Sequence, residues 1–332
     1  MADKKELPFA ILEILETFSD ENHILSISDI MSHLEKCYHL KAERRTIYAN
    51  IDLLLSFGYD ISTWDEQHKG YYLRSRIFSR SEILMLCNAV HASHFINQDE
   101  SEALINKLLS FLNRYQQDLY RSSVYMPNPQ KTENEELMTT IDLIARAVRD
   151  GHPVSFTYLK YSMDKKLVPR REEDYCIEPR GIVYEESRPY VVATTEDHAD
   201  FSHYRLDRMR SVRIDKDTVV PTLNEKQSRQ FKDIYNYARY KLFMYSDETV
   251  SARLVCQNSC LNQIIDFFGP EELTLHKYDD DHFEISVKGS RTGLLIFAQQ
   301  YIDKVVITYP ESLKEEMRQR IENAQKAYQQ AN

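Results

Sequence analysis

A chain of 332 residues has length for two or three domains, and 42% apolar residues with 22 Tyr and 14 Phe exclude wholesale disorder. The formal charge of −10, from 42 basic and 52 acidic residues, excludes a uniformly basic nucleic-acid coat and leaves room for a local basic face. Five scattered cysteines without a CxxC, glycines in neither dinucleotide-loop nor P-loop spacing, and no apolar run near the roughly 20 residues of a membrane span lead us to expect a cytoplasmic protein with reduced, mostly buried thiols.

From the N-terminus, Ile11, Leu12, Ile14, Leu15 and Phe18 recur at helical spacing. A second helix is expected after Ser28 as N-cap, burying Ile30, Met31, Leu34 and Cys37. A third runs from about Glu43 to Phe57 on the stripe Ile47, Ile51, Leu54 and Leu55, and Gly58 suits its left-handed terminus. Two short strand-like runs then flank the turn DEQHKG, with Trp64 expected to pack within the first. Three short helices and a hairpin predict a winged helix-turn-helix.

Ser81 to about Tyr120 reads as two helices, and the polar segment MPNPQKTENEE as a linker. After a helix ending at Gly151 the pattern changes to period two, with five strand-like runs in about 65 residues that predict a small β-barrel. A helical spacer over about 222–245 leads to alternating strands and helices, which predict a ferredoxin-like α+β domain.

On the third helix Arg45, Thr46, Ala49 and Asp52 point away from the apolar stripe, with Arg44 and Tyr48 at its flanks. A helix that reads a major groove needs such a face. The reading is set against a net charge of −4 over residues 1–78, from 9 basic and 13 acidic side chains, which is poor for phosphate-dominated binding by a single domain. In the barrel segment Arg205, Arg208, Arg210 and Arg213 face one acid, Asp207, and tyrosines including Tyr158 and Tyr190 interleave with these and with Arg180. Arginine forks hold phosphate oxygens and tyrosine rings stack on bases. Such a surface suits an anionic ligand, a nucleotide or single-stranded oligonucleotide; the alternative is a half-exposed strand surface with ordinary ion pairs to Glu172, Glu173, Asp174, Glu185 and Glu186. His91 and His94 lie three apart on a predicted helix, but no HExxH or carboxylate cluster completes a metal site. With no nucleophile motif either, we expect neither an enzyme, a metal nor a cofactor.

The order of parts resembles the WYL-domain family of bacterial transcriptional regulators. RRTIYANIDLLLSFGYDI and GYYL resemble its recognition helix and wing, EPRGIVYEESRPYVVA and HYRLDRM its Sm/SH3-like barrel, and IIDFFGPEE, FAQQY and VVITYPESLKEEMRQRI its C-terminal extension. Of the name-giving triplet only Tyr190 is kept, between Pro189 and Val191. The resemblance implies a multidomain α+β chain: a winged helix-turn-helix (1–78), a helical linker (79–135), a WYL ligand-sensing barrel (136–220), a linker (221–245) and a C-terminal extension (246–332). It implies operator DNA contacts by Arg44, Arg45, Thr46 and Tyr48 of the helix and Lys69 and Tyr71 of the wing. Ligand contacts are expected from Tyr158, Arg180, Tyr190, His203, Arg205 and Arg208. A homodimer on two DNA half-sites is the expected assembly. An accessory nucleic-acid- or protein-binding module without an operator is the alternative.

Overall fold

The computed structural model describes residues 5–123, 131–185, 187–195, 198–231 and 233–330. The chain divides into two compact units, 1–133 and 134–332.

In the first unit α1 (Leu7–Phe18), α2 (Ile27–Tyr38) and α3 (Arg44–Ser56) enclose a core of Ile11, Ile14, Ile30, Leu34, Ile47 and Ile51. The cap of α2 is Ser26, not Ser28: its hydroxyl accepts from the Asp29 N–H and the Asp29 carboxylate accepts from the Ser26 N–H. This reciprocal box satisfies two otherwise unpaired donors. With the helix beginning at Ile27, Cys37 falls on the solvent face. α3 is capped at Phe57, and Gly58 takes a φ of 92°, as the sequence predicts.

The hairpin is present but reduced to β1 (Ile61–Ser62) and β2 (Tyr72–Leu73), paired antiparallel. Between them Trp64 opens the helical turn α4 (Trp64–Gln67) and is 48% exposed, so it does not pack in a strand. Gly70 is where the hairpin presses on the chain before α2. A Cβ there would lie 2.3 Å from the Leu25 carbonyl oxygen, and its φ is 149°.

The segment after the hairpin holds three helices rather than two: α5 (Arg80–Ala92), α6 (Gln98–Leu109) and α7 (Arg114–Ser123). They are not a free linker. The fully buried Asn113 donates from Nδ2 to the Ser19 carbonyl at 3.1 Å and to Asp20 Oδ2 at 2.6 Å, and Tyr115 stacks on His23 at 3.6 Å. Part of the expected linker, 126–130, lies outside the described residues.

In the second unit α8 (Leu137–Asp150) leads into β3 (Val154–Tyr161), β4 (Leu167–Pro169), β5 (Tyr175–Glu185), β6 (Arg188–Thr195), β7 (His198–Arg205) and β8 (Met209–Ile214). The sheet order is β4-β3-β5-β6-β7, and β8 pairs antiparallel with β3 off this path. The sheet curls enough for the Arg205 N–H, at the end of β7, to donate to the Tyr158 hydroxyl of β3 at 3.2 Å.

The expected linker 221–245 packs onto this sheet through α9 (Glu225–Gln230) and α10 (Ile234–Ala238). Tyr237 and Met244 join Val192 and Phe201 in one buried cluster, with Ile234 and Phe231 against it. The approach requires Gly181, where a Cβ would meet Ile234 Cδ1 at 2.8 Å.

Then follow β9 (Thr249–Gln257), α11 (Leu261–Phe268), β10 (Thr274–Lys277), β11 (His282–Ser290), α12 (Arg291–Gln300), β12 (Val305–Tyr309) and α13 (Glu311–Gln330). The sheet is antiparallel in the order β10-β11-β9-β12. Leu294, Phe297, Leu313 and Met317 of its helices pack with Leu254, Cys256, Ile285 and Ile307 on one face. Of the five thiols only Cys87, Cys256 and Cys260 are buried, whereas Cys37 and Cys176 are exposed.

Two outcomes follow. Gly70→Ala should destabilise the first unit by more than about 1 kcal/mol, since an Ala side chain must displace backbone there; thermal melting of the full chain measures it. His203 lies beneath the spacer, with Nδ1 at 2.7 Å from the Met244 carbonyl and Nε2 at 2.9 Å from the Tyr237 hydroxyl. The carbonyl only accepts, so Nδ1 carries the proton and Nε2 accepts from Tyr237. Burial pushes this imidazole down to about 4, and the Lys241 charge acts in the same direction. A folded value below the unfolded one means that the contribution is complete above pH 6.5 and is lost as pH falls from there through about 4. His203→Gln should therefore remove about 3 kcal/mol of the acid-side loss of stability, read from denaturant midpoints at pH 7 and pH 4.

Candidate functional site

In the first unit the N-terminal turn of α3 carries the expected polar face. Arg44 and Arg45 are exposed, and neither forms an ion pair among the described residues. Tyr48, one turn on, is 45% exposed. Thr46 is half-buried, and its carbonyl accepts from Asn50 Nδ2 at 2.7 Å, which holds Asn50 on the helix. Lys69 is exposed at the hairpin turn.

Tyr71 is placed differently from the expectation. It is 7% exposed, and its backbone exchanges hydrogen bonds of 2.8 and 2.9 Å with Leu25. Its ring meets Tyr48 edge-on at 6.4 Å, and burial raises its hydroxyl pKa. Tyr71 is a core residue that supports Tyr48. Strand alternation alone does not reveal this, because the hairpin is so short that the bridge to Leu25 decides which side faces inward.

In the second unit the six expected ligand residues do not form one group. His203 is sealed by Met244 and Tyr237. Arg180, with its side chain 14% exposed, donates to Thr194 Oγ1 at 2.9 and 3.0 Å, to Glu178 at 3.3 Å and to the Pro221 carbonyl at 2.9 Å. These donors are committed to the barrel's own structure. Tyr190 stands directly opposite Arg205 and packs against the cluster beneath the spacer.

Arg205 is held by a bidentate pair with Asp207, at 2.6 and 3.0 Å. Burial alone would lower the guanidinium pKa, but the hydrogen bonds and charge of Asp207 more than offset it, and the net shift is upward. β7 stops at Arg205 and Leu206–Arg208 form a 3₁₀ turn, so Arg208 escapes the strict alternation of a strand. It lies 5.6 Å from the Tyr161 ring.

What the fold gathers is an aromatic box. Phe156 and Tyr158 of β3, Tyr175 of β5 and Tyr204 of β7 pack with ring centroids 5.3–6.1 Å apart. Phe156 is fully buried, whereas Tyr175 and Tyr204 are half-exposed. Arginines surround the box. Arg171, fixed by the Glu173 and Asp174 carbonyls, lies 3.7 Å over the Tyr175 ring. Burial raises the Tyr158 hydroxyl pKa against the opposing charges of Arg208 and Arg205, and raises that of Tyr204 against those of Arg171 and Arg170. Of the expected ligand set, Tyr158, Arg205 and Arg208 meet here. Tyr175, Tyr204 and Arg171 are additions; the signal was the period-two row Phe156, Tyr158 together with the odd register of Tyr204 against His203. Glu186, weighed as an ion-pair partner, lies outside the described residues. Asp174 pairs with Arg213.

Among the described residues no helix is long and apolar enough to cross a membrane. No curated protein matches the chain. Among solved structures it is similar to proteasome accessory factor B/C (PafBC) of Arthrobacter aurescens, at 18% identity and TM-score 0.28, covering 98% of this chain and 49% of that one. The chain thus spans about half the length of that protein. It is also similar to a CRISPR Cas-related protein, at 14% identity and TM-score 0.39, covering 99% of this chain and 86% of that one. The stretch from α8 through β8, which holds the aromatic box, is the part with a family assignment: residues 139–214 match the WYL domain.

Proposed function

We propose that the protein is a non-enzymatic, ligand-responsive, DNA-binding transcriptional regulator. Residues 1–78 act as a winged helix-turn-helix, the WYL segment as the sensor of an anionic nucleotide or single-stranded oligonucleotide, and residues 246–332 as a ferredoxin-like extension. The observation that carries the reading is the aromatic box rimmed by Arg171, Arg205 and Arg208 within a WYL match. The half-exposed rings of Tyr175 and Tyr204 offer aromatic surface, and Arg208, in no ion pair among the described residues, offers a fork for phosphate.

For DNA the contact set is Arg44, Arg45, Thr46, Tyr48 and Lys69, with Tyr71 in support. Two unpaired arginines at a helix start can reach base edges or phosphates without first giving up an internal partner. The net charge of −4 over residues 1–78 makes one such unit weak, and a homodimer on two half-sites about one helical turn apart supplies the missing affinity.

Arg45→Ala should weaken operator binding by about 1–3 kcal/mol if it reads a guanine edge, while Tyr71→Phe should leave affinity unchanged. Mobility shifts of the chain's own promoter fragment against random duplex measure both, and equal competition by random duplex would overturn the operator reading.

Tyr175→Ala and Arg208→Ala should each abolish the response of DNA binding to added oligothymidine while leaving ligand-free DNA binding intact. Arg205→Ala is a poorer probe. It strands the Asp207 carboxylate, 5% exposed, and breaking such a pair costs about 3–5 kcal/mol of stability.

A further inference from the structure

The sheet β10-β11-β9-β12 has a second face, opposite the core that Leu294, Phe297, Leu313 and Met317 cover. On β9 and β11 Arg253 stands directly opposite Ser286, and Ser251 directly opposite Lys288. Alternation turns these four side chains away from the core that Ala252, Leu254, Ile285 and Val287 fill. On the far side of β9, β12 brings Tyr309 level with Arg253, whose guanidinium lies 5.2 Å from that ring. From the spacer Tyr240 reaches the same place, 5.8 Å from Lys288 Nζ. The six side chains line a cavity of about 480 Å³, within the size range of small-ligand sites.

The charge in this cavity is not balanced. Arg239, also 5.5 Å from the Tyr240 ring, is neutralised by an ion pair with Glu272. Arg253 and Lys288 have no carboxylate partner among the described residues. Two uncompensated cations match a phosphate dianion. Two tyrosine rings, with Phe267 in the same wall, match a planar aromatic group. Ser251 and Ser286 add hydroxyls that both donate and accept. An inorganic anion would leave the rings unused, and an apolar ligand would leave the cations unused.

We propose that this cavity is a second ligand site, for a nucleoside phosphate, separate from the aromatic box of the WYL segment. The phosphate lies between Arg253 and Lys288 and the base stacks against Tyr309 or Tyr240. The same chemistry is presented by a free mononucleotide and by the phosphorylated end of a single strand.

The full chain is photolabelled with 8-azido-AMP and the labelled peptides are mapped by mass spectrometry. Label is expected on peptides carrying Tyr240 or Tyr309. The double variant Arg253→Ala, Lys288→Ala, both exposed, should lower it by about tenfold or more, and Tyr309→Leu should lower it without changing charge. Arg208→Ala, in the box, should leave it unchanged, so that failure of the box reading and failure of this one are distinguishable. Competition by unlabelled AMP at lower concentration than a 5′-phosphorylated ten-nucleotide oligothymidine identifies a free nucleotide; the reverse order identifies a strand end. Label confined to WYL-segment peptides, absent label, or equal labelling of wild type and double variant would overturn the proposal.

Discussion

The corner at the end of β7 depends on one buried ion pair. Asp207 is almost inaccessible to water, and its carboxylate is matched by the fork of Arg205 two residues earlier. A buried carboxylate without such a partner is expensive, and Arg205, turning back on Asp207 where the strand ends, supplies one. The same corner is fastened from the other side by Asn134, fully buried, whose Nδ2 donates to the Asp207 and Met209 carbonyls at 2.9 and 3.3 Å. The Arg205 N–H then finds the Tyr158 hydroxyl. One electrostatic constraint therefore sets where β7 ends, where β8 begins and where the Tyr158 ring stands in the box.

The same constraint separates side chains that the sequence places together. In HYRLDRM the basic residues look equivalent, but the turn gives each a different task. The Arg205 guanidinium is occupied by Asp207, and Arg208 stands out beside Tyr161. A nearby histidine, two residues before Arg205, falls on the face that the spacer covers and becomes a neutral core group. Residue type alone gave all three the role of ligand contact; partner geometry distributes them among three roles.

What was legible in the sequence follows the physics of each element. α1 and α3 are readable because their apolar stripes repeat every turn and the stripe residues Ile11, Ile14, Ile47 and Ile51 are buried together. The start of α2 was open to error because Ser26 and Ser28 both precede the stripe; only Ser26 places an acid, Asp29, at the third helical position, and that reciprocal bond decides. α7 was fused with α6 because Leu112 and Tyr115 continue the apolar spacing across the break at Asn113. β10, with all four residues exposed, has no alternation to detect. The burial of the spacer, a strap across the sheet, was illegible for another reason: it depends on the missing side chain of Gly181, 53 residues before the Ile234 that packs against it.

That strap has a thermodynamic consequence. Tyr237 and Met244 are counted in the hydrophobic cluster over the WYL sheet, while Leu242, lying between them, is counted in the core of the C-terminal sheet. Ser290, buried at the end of β11, donates from its hydroxyl to the Leu242 carbonyl at 3.1 Å and from its N–H to the Tyr240 carbonyl at 2.7 Å. Side chains two residues apart, Leu242 and Met244, are thus inserted into two different cores. Loss of packing in either sheet would withdraw a wedge from the other, and this couples the stability of the two sheets. A boundary cut drawn between them would pull the residues 237–244 out of both cores.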